Sequence, residues 1–297
     1  MENLIEQLKK DGFVKANDFG LKQDDVIHLS NLSNELFKKY RAKKLKNDRY
    51  INYSPPFEGS EVISRLPEHD KRAFEIIENI LNNKNFQNLF RKILGANYKL
   101  RQCSLRRSLP GDKGLYLHQD AIGETNLTIL LSDNLKGNGS TCFLPGSHLV
   151  PRRMKEWGIE TPPFLVRFIS FVLKKTPGLI GDSYVFFNRT WHGRSPNKFD
   201  KEYDVILMSF FPYSKDIPDY DWSPNFIKSI KNSEFAKRID FRLEDHFTNN
   251  QDVSYAIEIE NYNLKVKINN FVNVYFVVFF LRIFFSIFRP IYRFIKY

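Results

Sequence analysis

A chain of 297 residues, 42% hydrophobic and 15% aromatic, can bury a sizeable core and is not an intrinsically disordered tract. Its two cysteines, Cys103 and Cys142, form neither a disulfide framework nor a Cys-x-x-Cys metal spacing, so they read as small core residues of a protein in a reducing compartment. The net charge of +11 favours an anionic contact, whether nucleic acid, a phospholipid surface or a phosphorylated substrate, without choosing among them.

The chain opens MENLIEQLKKDGF, with acidic residues and helical spacing of Leu4, Ile5 and Leu8 where a secretory signal would carry a basic start and an apolar run. A cytoplasmic location is expected. Asp11 to Phe13 breaks this helix before a first strand, FVKANDF. Asp24 then precedes a helical stripe of Val26, Ile27, Leu29, Leu32, Leu36 and Phe37 that runs into a basic end. Residues 46–68 are polar and contain prolines, and read as a loop. A second helical block follows, from Phe74 through Ile77, Ile80, Phe86 and Leu89 to Ile93, with Gly95 placed to stop it.

From Tyr98 the pattern changes to short β-rich runs separated by Gly, Pro and Asn: YKLRQCSLRRS, NLTILLS, STCFL, DSYVFFN and YDVILMSFF. The expected class is mainly β, a sandwich or barrel with the earlier helices packed outside. Met154 to Leu179 interrupts the strands with an apolar helical face containing Phe164, Leu165 and Phe168, either a lid or extra core.

Within "GLYLHQDAIGETNLTILLSD", Gly114 to Asp133, residues His118 and Asp120 fall two apart. Side chains at i and i+2 of a strand share a face, so an imidazole and a carboxylate can meet at one point. A mononuclear iron site of the two-histidine, one-carboxylate kind needs one more imidazole. His192, in "GDSYVFFNRTWHGRSPN" (Gly181 to Asn197), is a candidate, carried on another strand pattern. By itself an H-x-D is weak, and a hydrogen-bonded core histidine is the ordinary alternative.

The neighbouring motifs shift that balance. "GNGSTCFLPGSH" (Gly137 to His148), the GD before an apolar strand, WHGRSPN at its end, and the opening LKKDGFVKANDF resemble the phytanoyl-CoA dioxygenase (PhyH-like) family of iron(II)/2-oxoglutarate oxygenases, in order and spacing, from Leu8 to Pro212. The resemblance implies a double-stranded β-helix (jelly roll, cupin-like) core over residues 1–215. It also implies Fe(II) and 2-oxoglutarate as cofactors, molecular oxygen as cosubstrate, and His118, Asp120 and His192 as iron ligands and catalytic residues. Halogenating members lack the carboxylate, so Asp120 favours hydroxylation of a small-molecule, lipid or glycolipid substrate. His148 is expected to serve its turn, and His28, His69 and His246 have no partner spacing.

One feature of the family is absent. Where it usually places the arginine for the distal carboxylate of 2-oxoglutarate, this chain has Tyr203, and Arg194 stands two after His192 in place of a small hydroxyl residue. An exchange across strands would let Arg194 bind the carboxylate with Tyr203 donating a hydrogen bond. The alternative is a jelly-roll binding or scaffold protein that has lost 2-oxoglutarate turnover. Upstream, Arg101 and Arg107 alternate with Gln102, Ser104 and Arg106, either face reaching an acidic ligand or forming a solvated rim. Asn126 and Thr128 are expected to line the pocket.

After a C-terminal extension, residues 216–270, the chain carries an aromatic and basic tail, residues 271–297. Arg282, Arg289, Arg293 and Lys296 fall near one helical stripe, which suits peripheral contact with an anionic membrane surface. The competing reading is a terminal helix packed on the barrel or on a second subunit. No nucleic-acid partner is expected, since charge is the sole argument for one.

Overall fold

A computed structural model describes residues 2–43, 54–57, 59–120, 123–149, 172–212, 222–230 and 233–239. Its first helix, α1 (Glu2–Asp11), buries Ile5 and Leu8 and ends at Gly12, whose φ of 82° is left-handed. A Cβ there would stand 2.2 Å from Thr190 Oγ1, so the position needs glycine for space as well as conformation. Strand β1 (Phe13–Lys15) and the long helix α2 (Gln23–Lys43) follow as the periodicity predicts.

The expected loop over 46–68 is partly ordered pairing. It contains β2 (Ser54–Phe57), β3 (Ser60–Ser64) and a 3-10 turn at Leu66–Glu68. The second helical block is two helices, α3 (Lys71–Asn82) and α4 (Lys84–Leu94). Asn83 divides them: its extended backbone stops α3, and its side-chain oxygen accepts from the N–H groups of Asn85 and Phe86 to cap α4. Apolar residues continue at helical spacing through the break and conceal it.

The β-rich part supplies β4 (Lys99–Ser108), β5 (Leu115–His118), β6 (Thr125–Leu130), β7 (Thr141–Phe143), β8 (Lys174–Lys175), β9 (Ser183–Phe187), β10 (His192–Arg194) and β11 (Tyr203–Phe211). They form a seven-stranded sheet in the order β1-β9-β6-β11-β4-β3-β2 and a four-stranded sheet in the order β5-β10-β7-β8. Every pairing between these strands is antiparallel. This is the jelly-roll core with flanking helices.

Alternation along the larger sheet separates two jobs. Leu105, Leu127, Ile129, Val185, Ile206 and Met208 turn one way and join the helices in the main core. Asn126, Thr128, Phe186, Val205, Leu207 and Arg106 line a cleft on the other side. Full burial of each Leu, Ile or Phe contributes about 1.5–3 kcal/mol, so the helix-covered face is what makes the cleft face affordable. Cys103 and Cys142 are buried free thiols, as expected.

Two short helices, α5 (Pro224–Ser229) and α6 (Glu234–Ile239), belong to the expected C-terminal extension. Trp222, Ile230, Phe235 and Ile239 enter the same core as α3 and α4. Arg238 lies over the Tyr98 ring at 4.1 Å and donates to the carbonyls of Ala96 and Tyr98. Most of the expected lid, including Phe164, Leu165 and Phe168, lies outside the described residues, as do His246 and the 271–297 tail. Among the described residues no helix is long and apolar enough to cross a membrane.

Candidate metal centre

Strands β5 and β10 are neighbours in the smaller sheet, and their register sets His192 directly opposite His118. The two imidazoles therefore come from adjacent strands of one sheet. Their ring centroids lie 4.5 Å apart. His192 begins β10, after the turn that follows β9, so it opens a strand where the sequence suggested the end of one.

Asp120 lies just past β5. Its backbone N–H donates to the Asn188 carbonyl at 3.0 Å, and Gln119 Nε2 donates to the Arg189 carbonyl at 2.5 Å. The turn leading into His192 thus also holds the H-x-D segment. One Asp120 oxygen lies 3.7 Å from His118 Nε2 and the other 3.4 Å from His192 Nε2. One ligand atom from each of the three residues falls within 4.8 Å of the others.

This donor set fits a divalent transition metal. Ligand atoms about 2.1 Å from an ion and at right angles to one another lie roughly 3 Å apart, a spacing that the 3.4 and 3.7 Å between Asp120 and the two imidazoles approach. His192 Nδ1 lies 2.8 Å from the Thr190 carbonyl, to which it donates. That bond leaves the Nε2 lone pair facing Asp120, the tautomer a metal ligand requires. Burial works against charge on Asp120, but neighbouring positive charge, that of Arg106 included, holds its carboxyl below the usual range. Phe186 stands behind the site, its ring 5.2 Å from that of His192 and 4.9 Å from Phe143.

The N-terminal segment braces the same turn. Thr190 Oγ1 donates to the Gly12 carbonyl at 2.9 Å, and the Trp191 N–H donates to Ser147 Oγ at 2.8 Å. His148 is fully buried and donates from Nε2 to the Lys9 carbonyl at 2.8 Å. Burial, aided by the charge of Arg189, pushes its pKa down to about 3. It is a neutral strut between α1 and the turn. His28 pairs with Asp70 and His69 with the Ser64 carbonyl and Tyr40, away from the centre.

Arg194 and Tyr203 both line the cleft. Arg194 is already engaged, because Nε donates to Asp112 Oδ2 at 2.7 Å and Nη2 to Oδ1 at 3.2 Å. Asp112 is buried and also accepts from Ser108 Oγ and the Gly114 N–H. Tyr203 packs with Leu130 and Tyr184, and burial pushes its phenol up. Asn126 and Thr128 line the cleft as expected.

The arginines upstream separate by face. Arg107 turns to α2, where Asp204 takes its Nε and Nη2, Glu202 its Nη1, and the Phe37 ring its flat side. Arg101 pairs with the buried Glu124 at 3.4 Å. Arg106 points into the cleft. Asp112 and Glu124 have no place in the sequence reading; no local signal marks a buried carboxylate whose partner is distant in the chain.

No family model matches the chain. A curated protein, the dioxygenase cdmA of Talaromyces verruculosus, is 27% identical over 235 residues, which span 71% of this chain and 72% of that protein. Among solved structures, EctD from S. alaskensis with bound Fe superposes with a TM-score of 0.57 at 16% identity, covering 82% of this chain and 87% of the other. SnoK, a non-heme alpha ketoglutarate dependent carbocyclase from nogalamycin biosynthesis, gives a TM-score of 0.55 at 14% identity, over 72% of this chain and 84% of the other. These likenesses establish the shared jelly-roll fold.

Proposed function

We propose that this protein is a non-haem iron(II)- and 2-oxoglutarate-dependent oxygenase acting on an unactivated C–H bond of a small organic or lipid-like substrate. The observation that carries the reading is the convergence of His118, Asp120 and His192 in the cleft of a jelly roll, with the His192 tautomer set for ligation. The named dioxygenase relative and the iron-bound structural neighbour support it. So does the sequence resemblance to the phytanoyl-CoA dioxygenase family.

In this reading His118 and His192 would hold the metal through Nε2 and Asp120 through one carboxylate oxygen. Bound iron would supply oxygen activation coupled to oxidative decarboxylation of the keto acid to succinate and carbon dioxide. The chain's own contribution is placement and exclusion of water. Thr190 fixes the His192 ring, the turn at Asn188 and Arg189 fixes Asp120, and Phe143 and Phe186 close the back of the site.

Hydroxylation is the outcome proposed, because Asp120 occupies a position that halogenating relatives leave open. The exchange of Arg194 and Tyr203 is not carried into this proposal, because Asp112 already takes the Arg194 Nε and Nη2. The 271–297 tail is proposed to hold the enzyme at an anionic membrane surface, on the strength of its basic stripe.

Succinate release and oxygen uptake by purified protein with Fe(II) and 2-oxoglutarate test the assignment, alongside Mn(II) binding measured by calorimetry. Turnover, even without substrate, that disappears in His118→Ala and His192→Ala is the expected result. A wild-type protein that binds neither metal nor keto acid would establish the scaffold alternative instead.

A further inference from the structure

The cleft side of the larger sheet carries a guanidinium whose charge no bonded carboxylate meets. Arg194 is matched by Asp112 and Arg101 by Glu124, while Arg107 faces the helices with Asp204 and Glu202. Arg106 is different. Strand register places it between Val205 of β11 and Val62 of β3, two residues with no side-chain acceptor. Its Nε is buried without a hydrogen-bond partner, and among the described residues it has no ion pair. The nearest acids, Asp120 and Glu124, act on it only through space, and Asp120 belongs to the metal set. Burial and the neighbouring charge of Arg194 weaken its hold on its proton, a cost that a bound anion would relieve.

The register also explains why the charge comes from here. Tyr203 fills the β11 position where an arginine is missing, and β4 lies beside β11, with Arg106 facing Val205. A guanidinium from β4 therefore enters the same part of the cleft from the adjacent strand. Its planar fork matches a carboxylate, and its five N–H donors stay charged under any working condition.

We propose that Arg106 anchors the distal carboxylate of the 2-oxo acid cosubstrate, from the strand neighbouring the one that carries Tyr203. The inference rests on the oxygenase reading above. Arg194, neutralised by Asp112, shapes the wall beside it.

The test is a comparison of two keto acids on Mn(II)-loaded protein by calorimetry: 2-oxoglutarate, and 2-oxopentanoate, which has a methyl group in place of the distal carboxylate. Wild-type protein is expected to prefer 2-oxoglutarate by about 10- to 100-fold, the worth of a charge-assisted hydrogen-bonded pair. In Arg106→Gln the preference is expected to collapse, with Mn(II) and 2-oxopentanoate affinities unchanged. Arg106→Lys keeps the charge without the fork and should lose part of the preference, which preserves the test if the glutamine variant does not fold. Arg194→Gln should retain the preference. Full discrimination in both Arg106 variants, or its loss in Arg194→Gln alone, would overturn the proposal. A wild-type protein that binds Mn(II) but neither keto acid would instead refute the oxygenase reading beneath it.

Discussion

Replacing Asp112 by alanine removes the acceptor for four donors at once: Arg194 Nε and Nη2, Ser108 Oγ and the Gly114 N–H. Asp112 is 2% exposed, and the Arg194 side chain 19%, so little water can replace what is lost. Breaking one partner out of a buried pair costs about 3–5 kcal/mol, and the partial exposure of Arg194 places this case near 3. The Ser108 and Gly114 bonds add about 1 kcal/mol each. We expect Asp112→Ala to lose about 4–5 kcal/mol in urea unfolding. Arg194→Met should lose less, because Asp112 keeps two hydrogen bonds. The double variant should be more stable than the sum of the two losses predicts, by about 1–2 kcal/mol, since the uncompensated guanidinium is gone. Strict additivity, or an Asp112→Ala loss below about 1 kcal/mol, would show that Arg194 is not committed to Asp112 and is available to a ligand.

His148 sets a pH dependence. Its folded-state pKa is about 3, below the unfolded value of about 6.5, so between these limits the unfolded chain binds the extra proton. Its contribution is fully present above pH ~6.5 and falls with pH by up to about 1.4 kcal/mol per unit below it; in His148→Gln that component of the slope should vanish from denaturant titrations. Gly12→Ala forces a Cβ to within 2.2 Å of Thr190 Oγ1 at a left-handed φ, and Thr190 orients His192. Both stability, by about 1–3 kcal/mol, and Mn(II) affinity should fall together, whereas unchanged metal binding would separate the N-terminal brace from the site. Protein lacking residues 271–297 should no longer sediment with vesicles of anionic lipid, while the full chain does so less at high salt; equal sedimentation of both would remove the membrane role of the tail.

Local chemistry was enough for the long elements. The stripes of α1 and α2 and the apolar runs of β4, β6, β9 and β11 are written in residues near one another in the chain, so periodicity exposes them. The three residues of the candidate metal centre were legible because H-x-D is itself local and His192 sits in a motif of its own. Asn83 shows the limit: a helix break made by one capping side chain leaves the hydrophobic period intact on both sides. Strands β5, β8 and β10, two to four residues each, have too few positions to show alternation and exist through their partners. The pairing of His192 with His118 and the turn that fixes Asp120 are matters of register between strands, and register was decided only on folding. The same holds for the arginines. Sequence alone determined that Arg101, Arg106, Arg107 and Arg194 were present and that the customary arginine was not. The tertiary structure decided which of them were already neutralised, because Asp112 and Asp204 reach Arg194 and Arg107 across 82 and 97 residues of chain, and burial without a partner is a property of the assembled cleft.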